Sequence, residues 1–361
     1  MSLAAKRALR DPLLSRAEQI YHARRFNREL RQRELQLGAT TLQSWPAYMD
    51  LSVAGKCNLR CEMCGLTHGD PTHPNWTFAE VERFSAYYPY LDTVNPTGAG
   101  EPMLVKELPA MLELFKRHGN AVGFYTNGTL LTSEKIDLLI RLGIDNINIS
   151  FDGATRETFE RIRHPAKFDR VLANIRNLIK RRRELGAKQP AVRLAMVLMN
   201  DNKHELPALI QLAAELGVEG VFTMFVSDRM PLQMPQKDPI GTNACLREAT
   251  AVAQKLGLHF YSPGLLPETS DSASAPVTAL LHSGLICTHP WMQLLVWNNG
   301  DVSPCCRIQG KLDGHDFGNA NTTSPELLWN SPGFVHLRQR IAANDAPQVC
   351  QTCPLRTAKA N

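Results

Sequence analysis

The chain has 361 residues, of which 43% are hydrophobic and 21% are charged, and its formal net charge is +5. This balance is typical of a globular protein with a large core and more than one domain. No apolar run approaches the length of a membrane span, so the sequence predicts no membrane partner. The N-terminus is basic but lacks the continuous apolar stretch of a secretory signal, and a cytoplasmic location is therefore expected.

Residues 1–45 are predicted to form a basic, helical N-terminal extension that is too short to be a domain by itself. The extension is expected either to pack on the domain that follows or to cover an active-site opening. A second basic run occupies residues 180–183. Both runs are interleaved with Glu and Leu, as solvated helix faces are, so nucleic acid is not expected as a partner.

Strand patterns alternate with helix patterns from Trp45 onward, which argues for parallel βα units. The six units fall short of the eight that close a full barrel. The expected fold class is therefore α/β, with a partial (β/α)6 TIM-like barrel over residues 46–240. The predicted strands cover residues 48–54, 92–96, 121–126, 146–151, 191–198 and 220–226.

Two further regions follow the predicted barrel. Residues 241–285 are expected to hold a helix, a short strand and a linker rich in Pro, Ser and Ala. Residues 286–361 are predicted to form a small module of a β-hairpin and a helix near residues 325–341. The hairpin is expected to turn at Asn299-Gly300, a dipeptide typical of tight turns between antiparallel strands.

Cys57, Cys61 and Cys64 stand in a CxxxCxxC spacing directly after the first predicted strand. Three thiolates in such a run can hold a [4Fe–4S] cluster and leave one iron open to an external ligand. The alternative is a structural zinc site. Zinc sites favour pairs of CxxC motifs or mixtures of Cys and His, and no His stands at a matching spacing here.

The Cys spacing resembles the signature of the radical S-adenosylmethionine (SAM) superfamily, and three later segments resemble superfamily motifs in the same order. The resemblance implies that the open iron chelates the amino and carboxylate groups of SAM, and that the reduced cluster splits SAM into methionine and a 5′-deoxyadenosyl radical. It also implies a set of SAM-binding residues at the ends of strands two to four. These are Gly98, Gly100, Glu101, Asn127 and Ser150.

Other polar residues are weaker candidates. By the same resemblance, Arg163 or Arg170 can pair with the carboxylate of SAM, although either can equally be a surface helix residue. His68 and His73 lie in the loop after the Cys run, where they can meet substrate. Polar loop residues are usually only solvated.

Cys287, Cys305, Cys350 and Cys353 in the C-terminal module can fully ligate a second, auxiliary [4Fe–4S] cluster. The surrounding sequence resembles the SPASM/Twitch modules of radical SAM enzymes in their one-cluster form, with a spacing most like that of the butirosin-pathway aminocyclitol dehydrogenase. A zinc site held by four thiolates is the alternative. Spacing does not decide between Cys305 and its neighbour Cys306, and Cys305 is chosen by resemblance.

The resemblance implies an oxidoreductase that abstracts a hydrogen atom from a small polar molecule or a peptide. The auxiliary cluster would accept the electron of the substrate radical, giving a net two-electron oxidation, and a flavodoxin or ferredoxin would supply reducing electrons. One alternative is a radical epimerase that uses Cys245 or Cys306 as hydrogen donor, and another is a peptide-modifying maturase. A zinc-binding interaction protein is the non-enzyme alternative. No residue that contacts the substrate can be read from the sequence.

Overall fold

The computed structural model describes residues 3–65, 74–226, 230–268, 287–308, 310–351 and 353 of the chain. His68 and His73, two of the candidates above, lie outside these ranges. Among the described helices, none combines the length and the apolar character needed to cross a membrane.

Parallel strands alternate with helices through most of the chain, which confirms the predicted α/β class. The strands are β1 Tyr48–Ala54, β2 Thr93–Gly98, β3 Gly123–Thr126, β4 Asn146–Ser150, β5 Ala191–Leu198, β6 Gly220–Phe225, β7 His259–Tyr261, β8 Gln293–Val296, β9 Val302–Ser303, β10 Lys311–Leu312 and β11 His315–Asp316. The helices are α1 Leu3–Ala8, α2 Arg16–Gln36, α3 Phe78–Glu82, α4 Leu108–Arg117, α5 Ser133–Arg141, α6 Arg156–Ile162, α7 Phe168–Glu184, α8 Leu206–Leu216, α9 Pro239–Leu256, α10 His289–Met292, α11 Pro325–Trp329, α12 Pro332–Ala342 and α13 Gln348–Gln351.

Strands β1 to β6 follow one another in chain order around the partial barrel. They fall into two hydrogen-bonded sheets of order β2-β1-β8-β9 and β3-β4-β5-β6-β7. A parallel bridge between Thr93 and Ala121 joins β2 to the start of β3. The predicted count of six strands is extended by β7, which pairs in parallel with β6.

The C-terminal hairpin is part of the barrel sheet as well as of its own module. Strand β8 pairs in parallel with β1, from Tyr48 beside Gln293 to Leu51 beside Val296, and β9 returns antiparallel to β8. The predicted turn is present, with Gly300 at a φ of +87° that an L-residue with a side chain rarely adopts. The predicted single helix near residues 325–341 is two helices, α11 and α12, because Pro332 begins a new one.

Strand β1 shows how the sequence divides the two faces of the barrel. Met49, Leu51 and Val53 are fully buried in the core between the sheet and the surrounding helices. Side chains alternate along a strand, so Asp50 and Ser52 point to the opposite face, toward the barrel lumen. The outer face of β1 is therefore apolar and its lumen face polar.

The N-terminal extension packs at the amino ends of the strands, and the alternative of a cover over an opening at their carboxyl ends is wrong for helix α2. The side-chain amide of Asn27 donates to the carbonyls of Trp45 and Tyr90, which precede β1 and β2. Arg31 pairs with Asp92, just before β2, at 3.0 Å. The amphipathic pattern predicted this helix but not the end of the barrel that it covers, because each end offers apolar surface.

Candidate functional site

The three clustered cysteines lie on the loop that follows β1, at the carboxyl ends of the barrel strands. Cys57 and Cys61 are half-buried and Cys64 is exposed. The loop is anchored to the residues that end α6, because the amide of Arg60 donates to the carbonyl of His164 at 2.6 Å and that of Glu62 to Ile162 at 3.0 Å. Function in parallel α/β folds sits at this edge of the sheet.

A buried ion pair supports Cys61. The Nε atom of Arg163 lies 2.5 Å from Oδ2 of Asp152, which is fully buried, and Nη1 of Arg163 lies 3.9 Å from the Cys61 sulfur. Burial raises the pKa of Cys61 to about 11, and the guanidinium of Arg163 opposes that rise. Arg163 was a candidate partner of the SAM carboxylate; its Nε is bonded to Asp152, while Arg170, the other candidate, is exposed on α7.

The glycines after β2 permit a close approach of two backbone segments. A Cβ atom at Gly98 would lie 2.1 Å from the carbonyl oxygen of Ala54, and one at Gly100 would lie 2.2 Å from that of Lys56. No side chain fits at either position. The segment around Gly98 and Gly100 therefore lies directly against the start of the Cys loop.

Glu101 ties this segment to the end of β3. Its carboxylate accepts hydrogen bonds from the amide of Met103 at 3.0 Å, the hydroxyl of Thr126 at 2.7 Å and the amide of Asn127 at 2.7 Å. Burial raises the pKa of Glu101, and the three donors oppose the rise. The side chain of Asn127 in turn donates to Asn58 at 2.9 Å and lies 3.9 Å from the Cys57 sulfur.

The predicted SAM-binding residues are thus assembled at one edge of the barrel. Gly98, Gly100, Glu101 and Asn127 contact one another or the Cys loop, and Ser150 is half-buried at the carboxyl end of neighbouring strand β4. Three soft sulfur donors, with amide and guanidinium donors beside two of them, are a suitable ligand set for a [4Fe–4S] cluster. Sequence reasoning missed the role of Asp152, whose signal is an acidic residue directly after a buried strand.

The C-terminal cysteines form a second group. Cys287, Cys305 and Cys350 pack against the hydrophobic core. Burial raises the pKa of Cys287 to about 11, and the thiols of Cys350 and Cys353 raise it further. The thiols therefore lie within electrostatic reach of one another, and this set also suits an iron–sulfur cluster.

Cys306 occupies a different position from its neighbour Cys305. Cys306 is exposed by its surface area, whereas Cys305 is half-buried, and burial raises the pKa of Cys305 to about 12. Burial of the thiol also raises the pKa of Cys306, with Cys353 and, more weakly, Asp50 adding to the rise. Cys306 therefore lies within electrostatic reach of the lumen residue Asp50.

Comparison with family models gives two matches. Residues 51–213 match the radical SAM superfamily model, and residues 287–354 match the SPASM model, described as an iron–sulfur cluster-binding domain. The first match includes the Cys loop and the segments after β2, β3 and β4, and the second includes the C-terminal cysteines.

Two curated relatives carry names that refer to different substrates, a cofactor and a peptide. A "tungsten-containing aldehyde ferredoxin oxidoreductase cofactor-modifying protein" of Pyrococcus furiosus is 26% identical over 345 residues, covering 86% of this chain and 88% of that protein. A "PqqA peptide cyclase" of Xanthomonas axonopodis pv. citri is 28% identical over 277 residues, covering 71% of this chain and 66% of that protein.

Solved structures share the fold at low sequence identity. SuiB of Streptococcus suis, bound to S-adenosylmethionine, matches with a TM-score of 0.64 at 16% identity, covering 91% of this chain and 72% of SuiB. The structure titled native anSMEcpe with bound AdoMet matches with a TM-score of 0.61 at 16% identity, covering 85% of this chain and 86% of that chain.

Proposed function

The chain belongs to the radical SAM superfamily and carries a SPASM iron–sulfur cluster-binding domain, and we propose that it catalyses a two-electron oxidation of a polar substrate. Its cofactors are SAM, a SAM-binding [4Fe–4S] cluster and auxiliary iron–sulfur ligation in the SPASM domain. Bound together and reduced, the first cluster and SAM supply a 5′-deoxyadenosyl radical that abstracts hydrogen. A flavodoxin or ferredoxin is the proposed source of the reducing electron.

The residues of the carboxyl-end site have separate proposed roles. Cys57, Cys61 and Cys64 would ligate the first cluster. Glu101 fixes the end of β3, because its oxygens accept hydrogen bonds from the Thr126 hydroxyl and the Asn127 amide. Asn127 and Ser150 would then hydrogen-bond SAM, and Gly98 and Gly100 allow the cofactor to approach the backbone.

One observation favours oxidation above all: the two thiol groups lie near opposite ends of strand β1. Cys57 follows the carboxyl end of β1, while Cys287 precedes β8, which runs parallel to β1. A strand of this length spans about 20 Å. A substrate in the lumen would therefore lie between the two clusters, with an electron acceptor on the side opposite the radical. Cys287, Cys305, Cys350 and Cys353 would hold that acceptor.

A peptide substrate is the second candidate, and the names of the relatives favour it. PqqA peptide cyclases are among the curated relatives, and one SuiB structure was solved with a precursor peptide. A peptide can undergo the same net loss of two hydrogens, so the chemistry proposed here does not change with the size of the substrate. The specific likeness to an aminocyclitol dehydrogenase stays a prediction.

Epimerisation makes a different demand, namely a thiol that returns a hydrogen atom to the substrate. Cys245 lies on α9, on the outside of the barrel, and Cys306 is the spare thiol within reach of the lumen residue Asp50. A radical epimerase would therefore depend on Cys306. Oxidation has no such requirement.

The experiment starts from anaerobically reconstituted protein with SAM and dithionite, to which fractions of small metabolites and of peptides are added. A fraction that stimulates 5′-deoxyadenosine formation contains a substrate. The proposal expects a product two hydrogens lighter than that substrate, formed equally well by wild type and by Cys306→Ala. A product of unchanged mass that carries one solvent deuterium in D2O, and that Cys306→Ala fails to form, would establish epimerisation instead.

A further inference from the structure

The lumen face of the barrel carries a carboxylate that has hydrogen-bond donors but no cation. Oδ1 of Asp50 accepts from the side-chain amide of Asn95 at 2.7 Å, and Oδ2 accepts from that of Gln293. Over the ranges that the structure describes, Asp50 forms no ion pair. The two amides fix the orientation of the carboxylate while leaving its charge uncompensated.

A guanidinium on the same lumen face also lacks a partner within the described part of the chain. Arg193 is the third residue of β5 and alternates with the buried Val192 and Leu194, so its side chain points to the lumen. Among the described residues, Arg193 makes neither an ion pair nor a hydrogen bond. Asp50 and Arg193 therefore form no ion pair with each other, although both lie on the lumen face of the barrel.

Two buried guanidinium groups elsewhere in the barrel are paired. Arg163 pairs with Asp152 at 2.5 Å, and Arg182, which is also buried, pairs with Glu219 at 2.7 Å. Burying an unpaired charge is costly, and folded proteins normally compensate it. Asp50 and Arg193 therefore differ from these two paired groups.

Other polar groups lie on the same lumen face. The hydroxyl of Ser52, two residues after Asp50 on the same face, is buried and has no hydrogen-bond partner in the described structure. Tyr125 is 40% exposed, as is Tyr261, although both face inward. Burial raises the pKa of Tyr125, Arg193 lowers it and Asp50 raises it, so the phenol lies within electrostatic reach of both charges.

We propose that Asp50 and Arg193 recognise the two ends of a zwitterionic substrate, with an ammonium group bound by Asp50 and a carboxylate or phosphate bound by Arg193. The proposal rests on the proposed function in one respect, namely that the reacting molecule occupies the lumen. Asn95 and Gln293 act as positioning residues for the carboxylate. Strands β2 to β4 separate β1 from β5, so the substrate's charges should stand apart from each other on its carbon skeleton.

Saturation-transfer difference NMR on the anaerobically reconstituted full chain tests the proposal with defined probes. The probes are 6-aminohexanoate, 6-aminohexyl phosphate, hexylamine and hexanoate. We expect the zwitterions to bind at least tenfold more tightly than hexylamine or hexanoate, because only a zwitterion can pair with both charged side chains; tenfold corresponds to about 1.4 kcal/mol. The preferred anionic end distinguishes a carboxylate from a phosphate substrate.

Two conservative variants assign the charged ends. Asp50→Asn should weaken binding of the zwitterions and of hexylamine about tenfold and leave binding of hexanoate unchanged. Arg193→Gln should weaken binding of the zwitterions and of hexanoate but not binding of hexylamine. The matched control is the external ion pair of Asp137 and Arg181, 2.6 Å apart, where Asp137→Asn and Arg181→Gln should change no probe. Circular dichroism confirms that each variant is folded.

Equal binding of all four probes, or zwitterion binding that neither lumen variant weakens, would overturn the proposal. The test involves no turnover, so its result is independent of SAM cleavage. A protein that forms 5′-deoxyadenosine yet shows no preference for zwitterions would contradict the charge assignment and leave the proposed oxidation standing. A protein that binds the zwitterions but never cleaves SAM would support the charge assignment and contradict the proposed oxidation.

Discussion

The two groups of cysteines differ mainly in the charge that surrounds them. The first group, Cys57, Cys61 and Cys64, lies beside the buried guanidinium of Arg163. This guanidinium lowers the pKa of Cys61 and so opposes the effect of burial. At the C-terminal group, other thiols push the pKa of Cys287 and Cys305 further upward.

This contrast fits two kinds of cluster. A cluster with an open iron exchanges an external ligand, so fixed protein dipoles and cations beside its thiolates stabilise it through that exchange. A cluster held by four thiolates exchanges nothing, and burial alone protects it. Since thiols with raised pKa values hold their protons, ligation at the C-terminal group should release protons as iron binds.

Removing the thiols of one group should give the largest effect and separates the two sites directly. The Cys57/Cys61/Cys64→Ala variant should retain about four of roughly eight irons per chain and lose all cleavage of SAM. The Cys287/Cys305→Ala variant should also lose about half of its iron but still form 5′-deoxyadenosine. Iron and sulfide analysis with an anaerobic cleavage assay measures both. Stoichiometric zinc without sulfide in wild type would contradict the assignment of both groups.

Replacement of the buried cation tests whether the charge contrast matters. Arg163→Met leaves Asp152 buried without a cation and should destabilise the protein by about 3–5 kcal/mol. The matched control is Arg161→Met, because Arg161 lies two residues before Arg163 and pairs with Glu62 at 3.1 Å on the surface. That change should cost no more than about 1 kcal/mol. Chemical denaturation measures both, and equal stabilities would show that the buried pair is dispensable.

A smaller effect is expected from Glu101→Gln, which changes a contact between two segments that we propose bind SAM. An amide nitrogen cannot accept a hydrogen bond, so at least one of the donors from Met103, Thr126 and Asn127 loses its acceptor, at a cost of about 1–3 kcal/mol. Binding of SAM should weaken while both clusters load normally. Isothermal titration with SAM and iron analysis give the two readouts; loss of iron together with SAM binding would make Glu101 part of the cluster site instead.

The smallest effect is expected at Cys306. Cys306→Ala should keep the full iron content, whereas Cys305→Ala should lose the C-terminal cluster, because Cys305 packs against the core and Cys306 is exposed. Electron paramagnetic resonance of the reduced protein distinguishes the two clusters. The opposite outcome would make Cys306 the ligand and Cys305 the spare thiol.

The sequence predicted those parts of the molecule that depend on local pattern. Strand β5 has the predicted bounds of residues 191–198. The Cys loop and the segments after β2 to β4 were placed correctly because parallel strands end at a common edge.

Features that depend on distant parts of the chain were not predictable in the same way. The pairing of Arg163 with Asp152 needs the turn of α6 against β4, and spacing alone left Arg163 and Arg170 equivalent. The lumen position of Asp50 follows only once β1 is known to face the lumen with alternate residues. Hydrophobic periodicity reports which face is buried, but not which neighbour buries it.

The pairing of β8 with β1 has a consequence for folding during synthesis. Tyr48 of β1 pairs with Gln293 of β8. Strand β1 therefore cannot form this pairing until most of the chain has been synthesised. At ordinary rates of synthesis this interval is on the order of ten seconds or more. During it β1 is a bare edge able to pair with other chains. The C-terminal domain therefore also supplies the strand that covers this edge of the barrel. Truncated proteins that lack the domain should aggregate and should not fold into a stable barrel.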